Sequence, residues 1–217
     1  RKEEQLDAGN RPGSMHYMKV GATKDGKLQG GRIHTWGSVG PTGGGGGVRN
    51  PSRYEFGAIN QSHEDVHLNG GFPRAMRAPG HPQGMFGVEM FMDEMAAKLG
   101  MDPLKFRMLN ETQDNRRRMM EVGAEIFDWK RRKADGTWPG TVKHGFGIGV
   151  GDWGNGKGNA TILVNVHRNG MVEIRSGSQD IGTGYRTMLA ACVASQIGLT
   201  REFITVKVGC SDYPPGP

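Results

Sequence analysis

The sequence predicts a mixed α/β (α+β) chain organised as two β-hairpin/helix lobes. Three observations carry this: two tight-turn signals, Asp25-Gly26 and Asn169-Gly170, each between strand-like runs, and helical apolar periodicity after each hairpin. Alternation of strands and helices along the chain is what separates this class from an all-α or all-β fold.

Taken in order, Met15 to Val20 reads as a strand, Lys24-Asp25-Gly26-Lys27 as the turn, and Leu28 to Val39 as the returning strand. Gly43 to Gly47 has no side chains to pack and reads as a mobile loop. A helix is expected from about Gln83 to Leu99, with Phe86, Met90, Met95 and Leu99, beside Val88 and Met92, as its core stripe. Gly100 fits the end of that helix, and Asp102-Pro103 fits a cap and first turn for another running to about Asn110. Glu111 to Val142 is polar and poorly patterned, and reads as a connection. Ala160 to His167, the Asn169-Gly170 turn and Met171 to Ser176 repeat the hairpin grammar, which hints at two similar halves. Tyr185 to Ile197 reads as a helix with Leu189, Val193 and Ile197 on one face, and Ile204 to Val208 as a closing strand. The resulting division is a first lobe over 1–115, a connecting segment over 116–142 and a second lobe over 143–217.

Composition narrows the function. Among 217 residues there are 37 glycines and 11 prolines without a triplet repeat, which indicates tight turns and close backbone approaches and not collagen. The formal charge of +6 draws largely on Arg116-Arg117-Arg118 and Lys130-Arg131-Arg132-Lys133. Only Trp129 interleaves with these runs, so they read as solvated surface and not as a nucleic-acid face. Cys192 and Cys210 lack any Cys-x-x-Cys spacing and read as small core residues, which excludes a cluster or zinc site built from cysteines of this chain alone. There is no apolar run of membrane-spanning length. The chain opens on Arg1 within a charged segment, as expected of a processed chain or a piece of a longer one.

Two loops stand out chemically. Ser176-Gly177-Ser178-Gln179-Asp180-Ile181-Gly182-Thr183-Gly184 leaves a strand and enters a helix, so backbone N–H groups and the helix dipole can converge on an anion. Gly182 and Gly184 permit close approach, while Ser178, Gln179 and Thr183 add donors. It is neither a Walker loop nor a Gly-x-Gly-x-x-Gly fingerprint. Arg74 to Gln83 also runs into a helix start; Pro79 and Pro82 stiffen it, and Arg77 and Gln83 can face an anionic or carbonyl-rich ligand. In Gly145-Phe146-Gly147-Ile148-Gly149-Val150-Gly151, a strand would put every glycine on one bare face, to be covered by another backbone or a cofactor. His63 and His67 stand four apart without a third ligand, so no metal site is assigned.

The segment Arg77-Ala78-Pro79-Gly80-His81-Pro82-Gln83, with Glu89, Met92-Asp93-Glu94-Met95-Ala96 and Leu99-Gly100-Met101-Asp102-Pro103, resembles the large subunits of the xanthine oxidase family. So do Gly177 to Thr187, the hairpin from Lys19 to Gly26 and the tail Asp212-Tyr213-Pro214-Pro215-Gly216-Pro217, in the same order. The resemblance implies a molybdenum hydroxylase whose metal is held by a pterin dithiolene, in the cytosine dinucleotide form usual in bacterial relatives. It implies a molybdenum-cofactor-binding domain that places oxygen from water on a small-molecule aldehyde or N-heteroaromatic substrate. It also implies electron transfer through [2Fe-2S] clusters to FAD on partner subunits or domains. The location implied is the cytoplasm, with the periplasm as the alternative, and neither nucleic acid nor a membrane span is expected.

Residue by residue, the resemblance places Arg77 beside the metal's ligands as the catalytic candidate, and Ala78, Pro79, Gly80 and Gln83 against the cofactor. Gln179, Gly182, Thr183 and Gly184 correspond to the pterin loop, where some relatives carry glutamine at Thr183. Xanthine-converting relatives carry phenylalanine where Pro79 stands, which argues against purine stacking and toward an aldehyde or another carbonyl or heteroaromatic substrate. The family's glycine-rich motif with phenylalanine is expected before Arg1 and its general-base glutamate beyond Pro217, so this segment alone is expected to be inactive. The alternatives are a carbon monoxide- or aromatic-thioester-acting relative, and a basic glycine-rich RNA-binding module.

Overall fold

The computed structural model describes residues 2–3, 8–41, 43, 47–48, 54–133, 137–154 and 158–216. Its contacts separate into two units, Arg1–Trp153 and Gly154–Pro217. The central glycines 44–46 of the expected loop lie outside the described residues.

In the first unit the Asp-Gly turn does what its chemistry predicts. Gly26 takes φ 94° and donates to the Thr23 carbonyl at 2.9 Å, which closes the hairpin between β1 (Ser14–Ala22) and β2 (Leu28–Val39). The two strands pair antiparallel from Ser14 opposite Gly37, with a bulge at Gly21/Ala22. A third strand, β3 (Ala58–His67), runs parallel to β2, from Gly30 opposite Ala58 to Val39 opposite His67. Its entry depends on Gly57: at φ 68°, a Cβ there would lie 2.1 Å from the Gln29 carbonyl oxygen, so only glycine fits.

Helix α1 (His81–Lys98) buries Met85, Val88, Met92 and Ala96. Val88, Met92 and Ala96 join Leu28, Tyr54, Phe56 and Phe106 in the core. The expected stripe is therefore corrected in part: Phe86 and Met90 are 70% and 49% exposed, while Met95 and Leu99 only pack against the core's margin. At Gly87 a Cβ would fall 2.7 Å from His16 Nδ1, so the bare glycine lets the helix lie close to β1 there. Helix α2 (Pro103–Asn110) is capped by Asp102, which accepts from the Leu104 and Lys105 amides at 2.9 and 3.0 Å.

The polar stretch read as a connection contains a helix, α3 (Asp114–Ile126). Only Met120 of this helix is buried, and its first turns are a run of polar and charged residues, Asp114 to Arg118, which hid the helix in the sequence. Residues 145–151 form no strand, contrary to the expectation. Among the described residues nothing lies within 4 Å of where a Cβ would stand on Gly145, Gly147, Gly149 or Gly151, and the run borders an open cavity of about 450 Å³ beside Met119 of α3 and Phe127 just after it.

The second unit repeats the strand arrangement. β4 (Leu163–Val166) pairs antiparallel with β5 (Val172–Ser176), and β6 (Ile204–Val208) pairs parallel with β5. The Asn169-Gly170 turn has Gly170 at φ 82°, and the Met171 amide donates to Asn169 Oδ1. Helix α4 (Tyr185–Ile197) crosses from β5 to β6 and ends at Gly198 in the left-handed conformation. Val172, Ile174, Leu189, Ala190 and Ala194 form the core, whereas Ile197 is 44% exposed. The small alanines, not the full predicted stripe, let α4 sit close on the sheet. Neither cysteine is a core residue: Cys192 is exposed on α4 with Met188 Sδ beside it, and Cys210 is half-buried.

Candidate functional site

In the first unit the loop from Arg74 to Gly80 is held by an extended N-terminal segment that the sequence did not single out. Asn10 bridges to Pro73, and the Arg74 amide donates to the Asn10 carbonyl at 2.9 Å. Arg11 then clasps the loop: Nη2 donates to the Arg77 carbonyl at 2.8 Å and Nη1 to Gln83 Oε1 at 3.4 Å. Gln83 in turn donates through Nε2 to the Pro12 carbonyl at 3.3 Å. The Gln83 amide is thus engaged at both ends and acts as a brace. No sequence signal marks Arg11, because its partners are 66 and 72 residues away.

The loop's backbone is strained where it enters the helix. Ala78 takes φ 54°, at a cost of about 1–2 kcal/mol for a side chain with a Cβ, and Gly80 takes φ 79°. The strain is held by hydrogen bonds from the His81 amide to the Ala78 carbonyl and from the Gly84 amide to the Gly80 carbonyl, at 3.0 and 3.1 Å. Pro82 brings no N–H to the helix start, and no acidic residue lies in its first turn. Beneath the loop is a cavity of about 140 Å³ lined by Arg11, Arg74, Pro79 and Gly80 among others. Among the described residues the Arg77 guanidinium, which is exposed, makes no hydrogen bond or ion pair. Arg11, Arg74 and Arg77 outnumber the one carboxylate near this helix start, Asp152, whose Oδ1 stands 3.9 Å from His81 Nδ1, so the surface keeps an excess of positive charge that suits an anionic group.

The second unit's loop is built differently. Gly177 donates to the Pro214 carbonyl at 2.7 Å, tying the loop's start to the tail. Gly182 and Gly184 both take left-handed φ, 91° and 77°. Gln179, Gly182, Thr183 and Gly184 are exposed, while Ser178 Oγ is enclosed without a hydrogen-bond partner among the described residues. The Asp180 carboxylate accepts from the Gly182 amide at 3.0 Å and from the Arg186 amide at 3.4 Å. Those amides, Gly182 first, hold its carboxyl below the ordinary carboxylate range. Arg77, Ala78, Pro79, Gly80 and Gln83 therefore sit together in one unit, and Gln179, Gly182, Thr183 and Gly184 in the other.

His63 and His67 lie on β3 and not on a helix. His63 is bonded through Nδ1 to Thr35 Oγ1 at 2.8 Å and through Nε2 to Asp65 at 3.1 Å. Among the described residues no group of three or more His, Cys, Asp or Glu side chains could hold a metal ion. Burial, and then the neighbouring His63, lower the pKa of His16. In the unfolded chain His16 takes up a proton near pH 6.5, whereas the folded state resists it, so stability must fall as pH drops through that range. We expect thermal unfolding of the purified protein to shift downward from pH 8 to pH 5, and His16→Gln to flatten that slope. An unchanged slope in the variant would remove His16 as the cause.

Each of the two sheet-and-helix units carries a glycine-bearing loop at a helix start, and arginines surround the one in the first unit, an arrangement suited to a domain that binds an anionic cofactor. The chain belongs to the molybdopterin cofactor-binding domain family: residues 1–111 match one model of that description and residues 122–216 a second. It is 32% identical over 225 residues to the aldehyde oxidoreductase molybdenum-binding subunit PaoC of Escherichia coli (strain K12), across 94% of this chain and 30% of that relative. It is 26% identical over 166 residues to the xanthine dehydrogenase molybdenum-binding subunit of Escherichia coli O157:H7, across 65% of this chain and 22% of the relative. Its fold superposes on the aldehyde oxidoreductase from Desulfovibrio gigas with a TM-score of 0.76 at 24% identity, covering 96% of this chain and 26% of that one. The chain thus spans less than a third of the length of each of these relatives.

Proposed function

We propose that the chain supplies cofactor-binding loops to a molybdenum hydroxylase that oxidises an aldehyde or N-heteroaromatic substrate with oxygen from water. The observation that carries this is the Arg74–Gln83 loop: a strained helix start where arginines outnumber the one nearby carboxylate, Asp152, and whose first turn holds no acid. Membership of the molybdopterin cofactor-binding domain family supports reading the loop's ligand as the molybdopterin group. When bound, the molybdenum–pterin group supplies the two-electron oxidation. The chain's own part is to bind and orient. The Ala78–Gly80 backbone presents a fixed surface, Arg77 offers an unpaired guanidinium, and Arg11 and Gln83 keep both from shifting. Gln179, Gly182, Thr183 and Gly184 form the corresponding contact of the second unit.

Within the same proposal the cofactor is the cytosine dinucleotide form, the lobes run over 1–115 and 143–217, and [2Fe-2S] and FAD reside on partner subunits or domains. The relatives' names as molybdenum-binding subunits favour such partners. The compartment is the cytoplasm. No helix among the described residues is long and apolar enough to cross a membrane.

The test is made on the complete protein purified from its source organism. Molybdenum by elemental analysis and a pterin dinucleotide by mass spectrometry are the expected result. Arg77→Ala should reduce cofactor retention roughly tenfold, the loss of one charge-assisted contact. Salt-sensitive RNA binding with neither molybdenum nor pterin would sink the proposal.

A further inference from the structure

The two loops differ in one respect that bears on how each meets an anion. At the start of α1 the nearby acid, Asp152, stands 3.9 Å from the His81 ring, whereas at the start of α4 a carboxylate accepts from the backbone amides themselves. The N-cap of α4, Gly184, has no side chain, and its first turn contains no acidic residue. Asp180 fills that gap from four residues upstream. One carboxylate oxygen takes the Gly182 amide and the other reaches the second helical amide, that of Arg186, at the longer distance of 3.4 Å. The left-handed turns at Gly182 and Gly184 are what bring an upstream carboxylate round to the helix axis. The positive end of α4 therefore carries a negative charge from its own chain.

We infer that Asp180 is a positioning residue, the resident anion of α4 that fixes the Gly182–Gly184 turn, so that this loop meets its ligand with Gln179 and Thr183 and not with helix-start amides. That Asp180 orders the turn stands on geometry alone; that the ligand is the molybdopterin group rests on the function proposed above. A cofactor phosphate at the same helix start would have to displace Asp180 and face its charge. The two arrangements consequently predict opposite signs when the carboxylate is removed.

The experiment compares the complete wild-type protein with Asp180→Ala and Asp180→Asn, each produced with and without molybdate. Hydrogen exchange is followed by mass spectrometry on peptides covering 180–188, and cofactor content is measured per protein. Without cofactor, Asp180→Ala should exchange at these amides roughly fivefold faster, as expected for loss of a helix cap. Asp180→Asn should fall between, since its carboxamide keeps one acceptor but no charge. Added acetate should restore slow exchange in Asp180→Ala and leave the wild type unchanged. With molybdate, cofactor content should fall in Asp180→Ala. Unchanged exchange in Asp180→Ala, or a rise in its cofactor content, would overturn the assignment. Should that variant fail to accumulate, the same two readings on Asp180→Asn decide it. If the wild type itself carries no cofactor, the proposed function fails, while the exchange data still judge the role of Asp180 in the turn.

Discussion

Replacing Arg107 with methionine is expected to cost about 3–5 kcal/mol, the range found when one partner of a buried ion pair is removed. Arg107 is 0% exposed, yet four of its N–H groups are satisfied. Nε donates to Glu89 Oε2 at 2.7 Å, Nη1 to Asp93 Oδ1 at 2.6 Å and to the Pro103 carbonyl at 3.1 Å, and Nη2 to the Glu89 carbonyl at 2.9 Å. Burial works against the charge, but the Glu89 and Asp93 carboxylates overcome it and leave the guanidinium more firmly protonated than usual. Tyr54 donates to the other oxygen of Glu89 at 2.7 Å, and its hydroxyl is held protonated by burial and by that carboxylate. Without Arg107, Glu89 would be left nearly enclosed, at 12% side-chain exposure, with the tyrosine as its remaining side-chain partner. Asp93, at 43%, would turn to water, so most of the loss falls on Glu89 and the two carbonyls.

Against a typical total stability of about 5–15 kcal/mol, such a loss should appear as low soluble yield and rapid proteolysis. Arg107→Lys keeps the charge but not the planar fork, and should lose less. Adding Glu89→Gln to Arg107→Met should restore part of the stability, because it removes the uncompensated charge. A loss below about 1 kcal/mol in denaturant titration, the level of an exposed pair, would refute the clamp. The consequence reaches the site through α1. Glu89 and Asp93 lie two and three turns below the Arg74–Gly80 loop, so the ion pair fixes the helix on which that loop is mounted.

Much of this scaffold was legible in the sequence where a local rule decides the structure. Asp25-Gly26 and Asn169-Gly170 announced their hairpins because the turns need a residue tolerant of positive φ, and Asp102-Pro103 announced a helix start because cap and first-turn chemistry are local. What the sequence concealed depends on distant partners. β3 reads Ala-Ile-Asn-Gln-Ser-His-Glu-Asp-Val-His, with no alternation, because its polar side chains are satisfied across the sheet. Ser62 meets His34 at 2.6 Å, His63 meets Thr35, and Glu64 meets Trp36 Nε1 at 3.2 Å. Glycines 145–151 looked like a strand by period alone, but a strand also needs a partner, which the described part of the first unit does not provide. At the candidate site, the loops were found from glycines at helix starts. The sequence did not reveal that Arg11 and Pro12 engage Gln83, nor that Asp180 reaches the α4 amides. Those facts concern which of several suitable groups arrives first, and only the fold decides that.

The second large effect is expected at Asn110, the residue that fastens the β1–β2 hairpin to α2. It is 3% exposed, and every bond its amide makes crosses to backbone. Oδ1 accepts from the Leu28 amide at 3.0 Å, while Nδ2 donates to the Gly26 and Phe106 carbonyls, each at 2.9 Å. Asn110→Leu should cost about 2–4 kcal/mol, since the Leu28 amide and Gly26 carbonyl are left buried without it. Asn110→Asp separates shape from charge. Ionised, its second oxygen would face two carbonyls; protonated, it could still donate to one. Burial and those carbonyls must raise its folded-state pKa above the unfolded value near 3.9, so the folded state holds a proton that the unfolded chain releases. Stability of Asn110→Asp relative to wild type should therefore fall as pH rises from about 4 toward 7. The trend is opposite in sign to the one expected from His16, so the two cannot be confused in one titration series. If Asn110→Asp matched the wild type at both pH 5 and pH 8, the hairpin would have to be held by the packing of Leu28 and Met101 and not by this amide.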